Sequence, residues 1–150
     1  MLGEENMLPT HITDWLKSFD FASYTESIRA AQSETRKTLE ALSLSPESEI
    51  GEFYLNYGAL SAPGWYEILE VNDLVDMADY IHEEFELPER FIALTAHEGG
   101  GFSLMDRDSG AVYDVTFDKI DDMLGGRVEP VGKSFAEYLE WRRTKRTETA

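Results

Sequence analysis

The residues with which this chain of 150 could do chemistry are three histidines and thirty carboxylates, with no cysteine. Absence of cysteine removes disulfides, thiolate metal sites and cysteine nucleophiles. His11, His82 and His97 stand in neither His-x-x-x-His nor His-Glu-x-x-His spacing, the patterns that bring two imidazoles onto one helix face. His82-Glu83-Glu84 offers three ligating types in a row, but helical neighbours point about 100° apart, so they diverge. A surface histidine is the better reading. His97-Glu98 could supply a general base, yet no nucleophile stands near it in the sequence. Glu98-Gly99-Gly100-Gly101 has the glycines to wrap a phosphate, but such loops open onto a helix N-terminus, and this one leads into a strand-like run. Asp106-Arg107-Asp108-Ser109-Gly110 starts like a calcium loop, but its twelfth position, where a bidentate Glu is needed, is Phe117. Asp and Gly in a hairpin turn suffice to explain that stretch. Glycosidase chemistry depends on the distance between two carboxylates, and with this many acids a solvated face is the expectation. No catalytic residue, metal or cofactor is therefore assigned.

Collectively the acids say more. The formal net charge is −17. That is the wrong sign for gripping nucleic-acid phosphates or an anionic membrane, and the right sign for steering a basic protein. The charge is also unevenly spread. From Lys37 to Arg90 no Lys or Arg intervenes, while thirteen acids do: Glu40, Glu47, Glu49, Glu52, Glu67, Glu70, Asp73, Asp76, Asp79, Glu83, Glu84, Glu86 and Glu89. Interspersed bases would serve solubility with less self-repulsion, so the excess points to a basic partner. Arg142, Arg143, Lys145 and Arg146 cluster at the other end.

The elements that must position these charges follow from periodicity. A short helix is expected over His11–Phe19, with Ile12, Trp15, Leu16 and Phe19 inward, and a second over Tyr24–Leu42 on Ile28, Ala31, Leu39 and Leu42. Ser45-Pro46 reads as a helix start; Ile50, Phe53, Tyr54 and Tyr57 form the stripe, and Gly58 the stop. Trp65–Val71 reads as a strand. Asn72 then caps a two-sided helix from Asp73 to Phe85, with Val71, Leu74, Val75, Ala78, Ile81 and Phe85 on its core side. Asp76, Asp79, Glu83 and Glu86 lie opposite, flanked by Asp73, Tyr80 and Glu84. Phe91–Ala96, Phe102–Asp106 and Ala111–Phe117 make a three-strand meander with short connections. Residues 118–132 are ambiguous between a helical turn and a loop. Ser134 caps a closing helix, with Phe135, Tyr138 and Leu139 inward and Trp141 beside them. The fold class is α+β with a mainly antiparallel sheet. Its organisation is a loose stretch 1–9, a single domain 10–143 and a frayed basic tail 144–150. Neither a secretory signal nor a membrane span is expected, which makes a soluble cytoplasmic protein.

Five pieces in this order resemble the SUKH superfamily of fungal cell-wall regulators and bacterial immunity proteins. They are Glu52-Phe53-Tyr54-Leu55-Asn56-Tyr57-Gly58; Trp65-Tyr66-Glu67-Ile68-Leu69-Glu70-Val71-Asn72-Asp73-Leu74; the run from Phe91 through Gly100-Gly101 to Asp106; Ser109-Gly110-Ala111-Val112-Tyr113; and Ser134-Phe135-Ala136-Glu137-Tyr138-Leu139. The likeness covers roughly residues 45–143 and lacks the family's usual segment ahead of the first of these helices. It implies a non-catalytic protein that binds a cognate bacterial toxin and covers its active site. A basic nuclease or a nucleotide-using transferase would suit the acid surface. The alternative is an adaptor or regulator on the same fold. Family motifs transfer no binding surface. Charge and pattern nominate Glu67, Asp73, Asp76, Asp79, Tyr80, Glu83, Glu84, Glu86, Asp106 and Asp108 as partner-binding residues; Trp65 and Tyr66 read equally as further aromatic anchors or as core.

Overall fold

The computed structural model describes residues 8–18, 25–57, 68–69, 71–95 and 100–149, without the side chains of 25, 27 and 145–149. It is α+β, with a three-stranded antiparallel sheet. Contacts cluster into two compact units, Met1–Val75 and Asp76–Ala150, where patterning suggests a single domain over 10–143.

The first unit is helical. Helix α1 spans Thr10–Lys17 and begins on the Pro9 carbonyl, which accepts from the Ile12 and Thr13 amides at 3.0 Å; Ile12 and Leu16 are fully buried. Helix α2 spans Thr25–Ala41. Its inward stripe differs from the expected one: Ala31 is exposed, and Gln32 and Thr35 stand between Ile28 and Leu39. Those two polar residues are why the apolar side looks thin in the sequence. The Gln32 side chain donates to the Leu55 carbonyl at 2.9 Å, which satisfies a polar group that packing would otherwise penalise. The α2 end carries Ser43 at φ 60, with the Leu44 amide returning to the Leu39 carbonyl at 2.8 Å. That is the left-handed cap usually given to glycine.

Helix α3 spans Glu49–Tyr57, later than Ser45-Pro46 suggests. Ser45 and Pro46 form a turn instead, and Ser48 is the cap, its hydroxyl accepting from the Gly51 amide at 3.1 Å. Gly51 is required there, because a Cβ would fall 2.3 Å from the Ser45 carbonyl oxygen. The predicted stripe of Ile50, Phe53, Tyr54 and Tyr57 is buried, but so are Gly51, Glu52 and Leu55, leaving only Asn56 exposed. The Tyr54 hydroxyl donates to the Leu69 carbonyl at 2.8 Å. The expected Gly58 stop lies outside the described residues, as does most of the expected strand Trp65–Val71. Its last residue, Val71, opens a helix.

Helix α4 spans Val71–Glu84 and contains the division between the units. Asn72 is thus inside the helix and not its cap. Val75, expected in the core, is 37% exposed. Leu74 and Ile81 of the expected set are fully buried and Phe85 packs against the second unit's core, which Met77 and Tyr80 join from outside that set.

The sheet of the second unit is β1 Phe91–Ala93, β2 Gly101–Asp106 and β3 Val112–Thr116, with β2 central. Pairing sets Ile92 against Met105 and Leu104 against Tyr113. Ile81, Phe91, Ala93, Phe102, Leu104 and Val115 meet in one core with Leu87, Ile120 and Met123. β2 is buried from Phe102 to Met105 without alternation, so both faces of the sheet are covered there. In the 107–110 turn, Gly110 at φ 83 donates to the Asp106 carbonyl at 2.7 Å. The ambiguous segment resolves into a 3-10 turn Phe117–Lys119 and helix α5 Ile120–Leu124, followed by a bridge of Gly132 to Val112. Helix α6 spans Phe135–Thr149, so the tail expected to fray is helical through Thr149. Ser134 caps it: the Glu137 amide donates to the Ser134 hydroxyl at 3.2 Å, and the Glu137 carboxylate accepts from the Lys133 amide at 2.8 Å.

Candidate functional site

Helix α4 is held by a few apolar side chains, and its other side carries charge. Ile81 is fully buried, and Met77, Tyr80 and Phe85 pack partly against the same core. Asp76, Asp79 and Glu83, at i, i+3 and i+7, share about 60° of helix circumference. All three are exposed, as is Glu84 beside them. None makes an ion pair or hydrogen bond with a described residue. Asp73, exposed, is on the first unit's part of the same helix.

Two effects make this arrangement costly to the isolated molecule. Like charges at i,i+3 and i,i+4 each destabilise a helix by about 0.2–0.5 kcal/mol. Asp73–Asp76, Asp76–Asp79 and Asp79–Glu83 are such pairs. Glu83 and Glu84 also stand in the last turn, where the negative end of the macrodipole disfavours anions. Other helices place a base where α4 places an acid. In α2, Arg29 approaches Glu26 and Lys37 approaches Glu34, each at 3.7 Å and i,i+3. In α6, Arg143 holds Glu140 through two bonds at 2.6 and 3.1 Å. Near α5, Asp122 lies 3.9 Å from Lys119 and 3.0 Å from Arg127.

The remaining nominated residues are placed differently. Glu86 is exposed at φ 56, a left-handed position just after α4. Tyr80 is half-buried and rests edge-on against Phe85 at 5.8 Å. Asp106 belongs to the hairpin: one oxygen accepts from Arg90 at 3.2 Å and the other from the Asp108 amide at 2.9 Å. Asp108 is exposed at the turn tip. Glu67, Trp65, Tyr66 and His97 lie outside the described residues. His82 is half-buried rather than a surface residue. Its Nδ1 lies 2.7 Å from the Leu87 carbonyl, which can only accept, so Nδ1 carries the proton.

Patterning missed one buried acid. Glu52 is 7% exposed, and its Oε1 accepts from the Leu8 amide at 3.0 Å. It lines a cavity of about 340 Å³ with Thr13, Lys17, Asn56 and Tyr57, all in the first unit. Burial, then the Glu52 and Asp14 charges, push the Tyr57 hydroxyl above its ordinary value. The signal for Glu52 was faint, because a helix buried on nearly every side leaves no polar face by which to recognise an inward acid.

Among the described residues no group of three or more His, Asp or Glu side chains is placed to hold a metal, and no helix is long and apolar enough to cross a membrane. No family model, curated protein or solved structure matches this chain.

Proposed function

We propose that this is a non-catalytic binding protein whose α4 acid face docks a basic protein, in the manner of an immunity protein that covers a bacterial toxin's active site. The observation that carries the reading is the uncompensated row Asp76, Asp79 and Glu83, in a molecule that pairs acids with bases on α2 and α6. A basic surface brought to this row would relieve the repulsion between its carboxylates and add charge-assisted hydrogen bonds. Long-range attraction would also speed encounter, an advantage against a toxin that arrives suddenly. The aromatic edge of Tyr80, between Asp76 and Glu84 on the helix surface, would sit inside the charged rim. The toxin as partner rests on the resemblance to SUKH immunity proteins; the basic character of the partner rests on α4.

Affinity purification of the tagged chain from its own cells tests this. The expected companion is a basic protein encoded beside this chain, with an activity that stoichiometric addition of the chain abolishes. An acidic companion, or a basic one whose activity survives a saturated complex, would contradict the reading.

A further inference from the structure

We draw no further inference here: the strongest candidate, the side-chain cluster in which Arg142 and Tyr138 of α6 meet Ser103 of β2 and Asp114 of β3, carries nothing because its hydrogen bonds are accounted for as the fastening of that helix to the sheet and nothing in the structure points to a ligand there.

Discussion

Helices α4 and α6 are similar in length and spend their charges in opposite ways. On α6 each described charge is used within the molecule: Glu137 caps the helix start, Glu140 holds Arg143, and Arg142 donates to the buried Tyr138 hydroxyl at 2.6 Å while lying over its ring. On α4, Asp76, Asp79, Glu83 and Glu84 point outward with no described partner. Fold stability explains the first pattern and not the second. Charges that stabilise a domain are paired, capped or turned inward. A row left to repel itself is compatible with folding because Met77, Tyr80 and Ile81 pack into the core from the other side. The lesson is one of position: net charge alone would not single out α4, since the first unit is about as acidic as the second.

The contrast can be broken or sharpened by substitution, starting with the largest effect. Ile81→Ala should lower unfolding free energy by about 2–5 kcal/mol in urea titration, the usual cost of emptying a fully buried aliphatic site. Partner affinity per folded molecule should be unchanged; if it falls in step, the two sides of α4 do not have separate roles. Next, the combined change Asp76→Lys, Asp79→Lys and Glu83→Lys should weaken partner binding by about 100-fold in calorimetry. Asp122→Lys, at an acid already paired with Lys119 and Arg127, should cost less than about 3-fold. Equal losses from the two would erase the distinction between unpaired and paired acids.

Tyr138 shows the inward use of charge on α6. Burial raises its hydroxyl above the ordinary value of 10.0, with Arg142 acting the other way. A tyrosine with a raised value holds its proton more tightly when folded. Its contribution is therefore intact below the unfolded value near 10 and lost as pH rises through and beyond it. Melting temperature should decline above that pH, and Tyr138→Phe should flatten the decline while costing about 1 kcal/mol at neutral pH for the lost hydrogen bond. An unaltered alkaline slope in the variant would mean that Tyr138 does not govern it.

The smallest effects are single neutralisations. Asp79→Asn should raise stability by a few tenths of a kcal/mol in low salt, and Glu140→Gln should lower it by about 0.3–0.5 kcal/mol. Opposite signs in differential scanning calorimetry are the expected outcome; the same sign would mean that Asp79 has a stabilising partner.

Much of this arrangement was legible because short-range rules govern it. The meander follows from apolar runs broken by Gly99-Gly100-Gly101 and Arg107–Gly110, and the α6 start from Ser134 as its cap. The acid side of α4 followed from helical periodicity alone. Illegible parts depended on tertiary context. Val75 and Met77 differ by half a turn, and only packing decides which faces inward. Ser48, and not Ser45, caps α3 because the chain turns once more before the helix begins. The burial of Glu52 has no local signature, since nothing in its neighbourhood announces that its helix is enclosed. Asp106 was nominated for binding by its type, while its geometry commits it to Arg90 and the turn.

Association kinetics test the central claim most directly. With the natural partner in stopped flow, the on-rate should fall by at least ~10-fold from low to high salt, while Asp76→Lys/Asp79→Lys/Glu83→Lys removes most of that dependence. An on-rate indifferent to salt, or a salt dependence that survives reversal of all three charges, would contradict docking through α4.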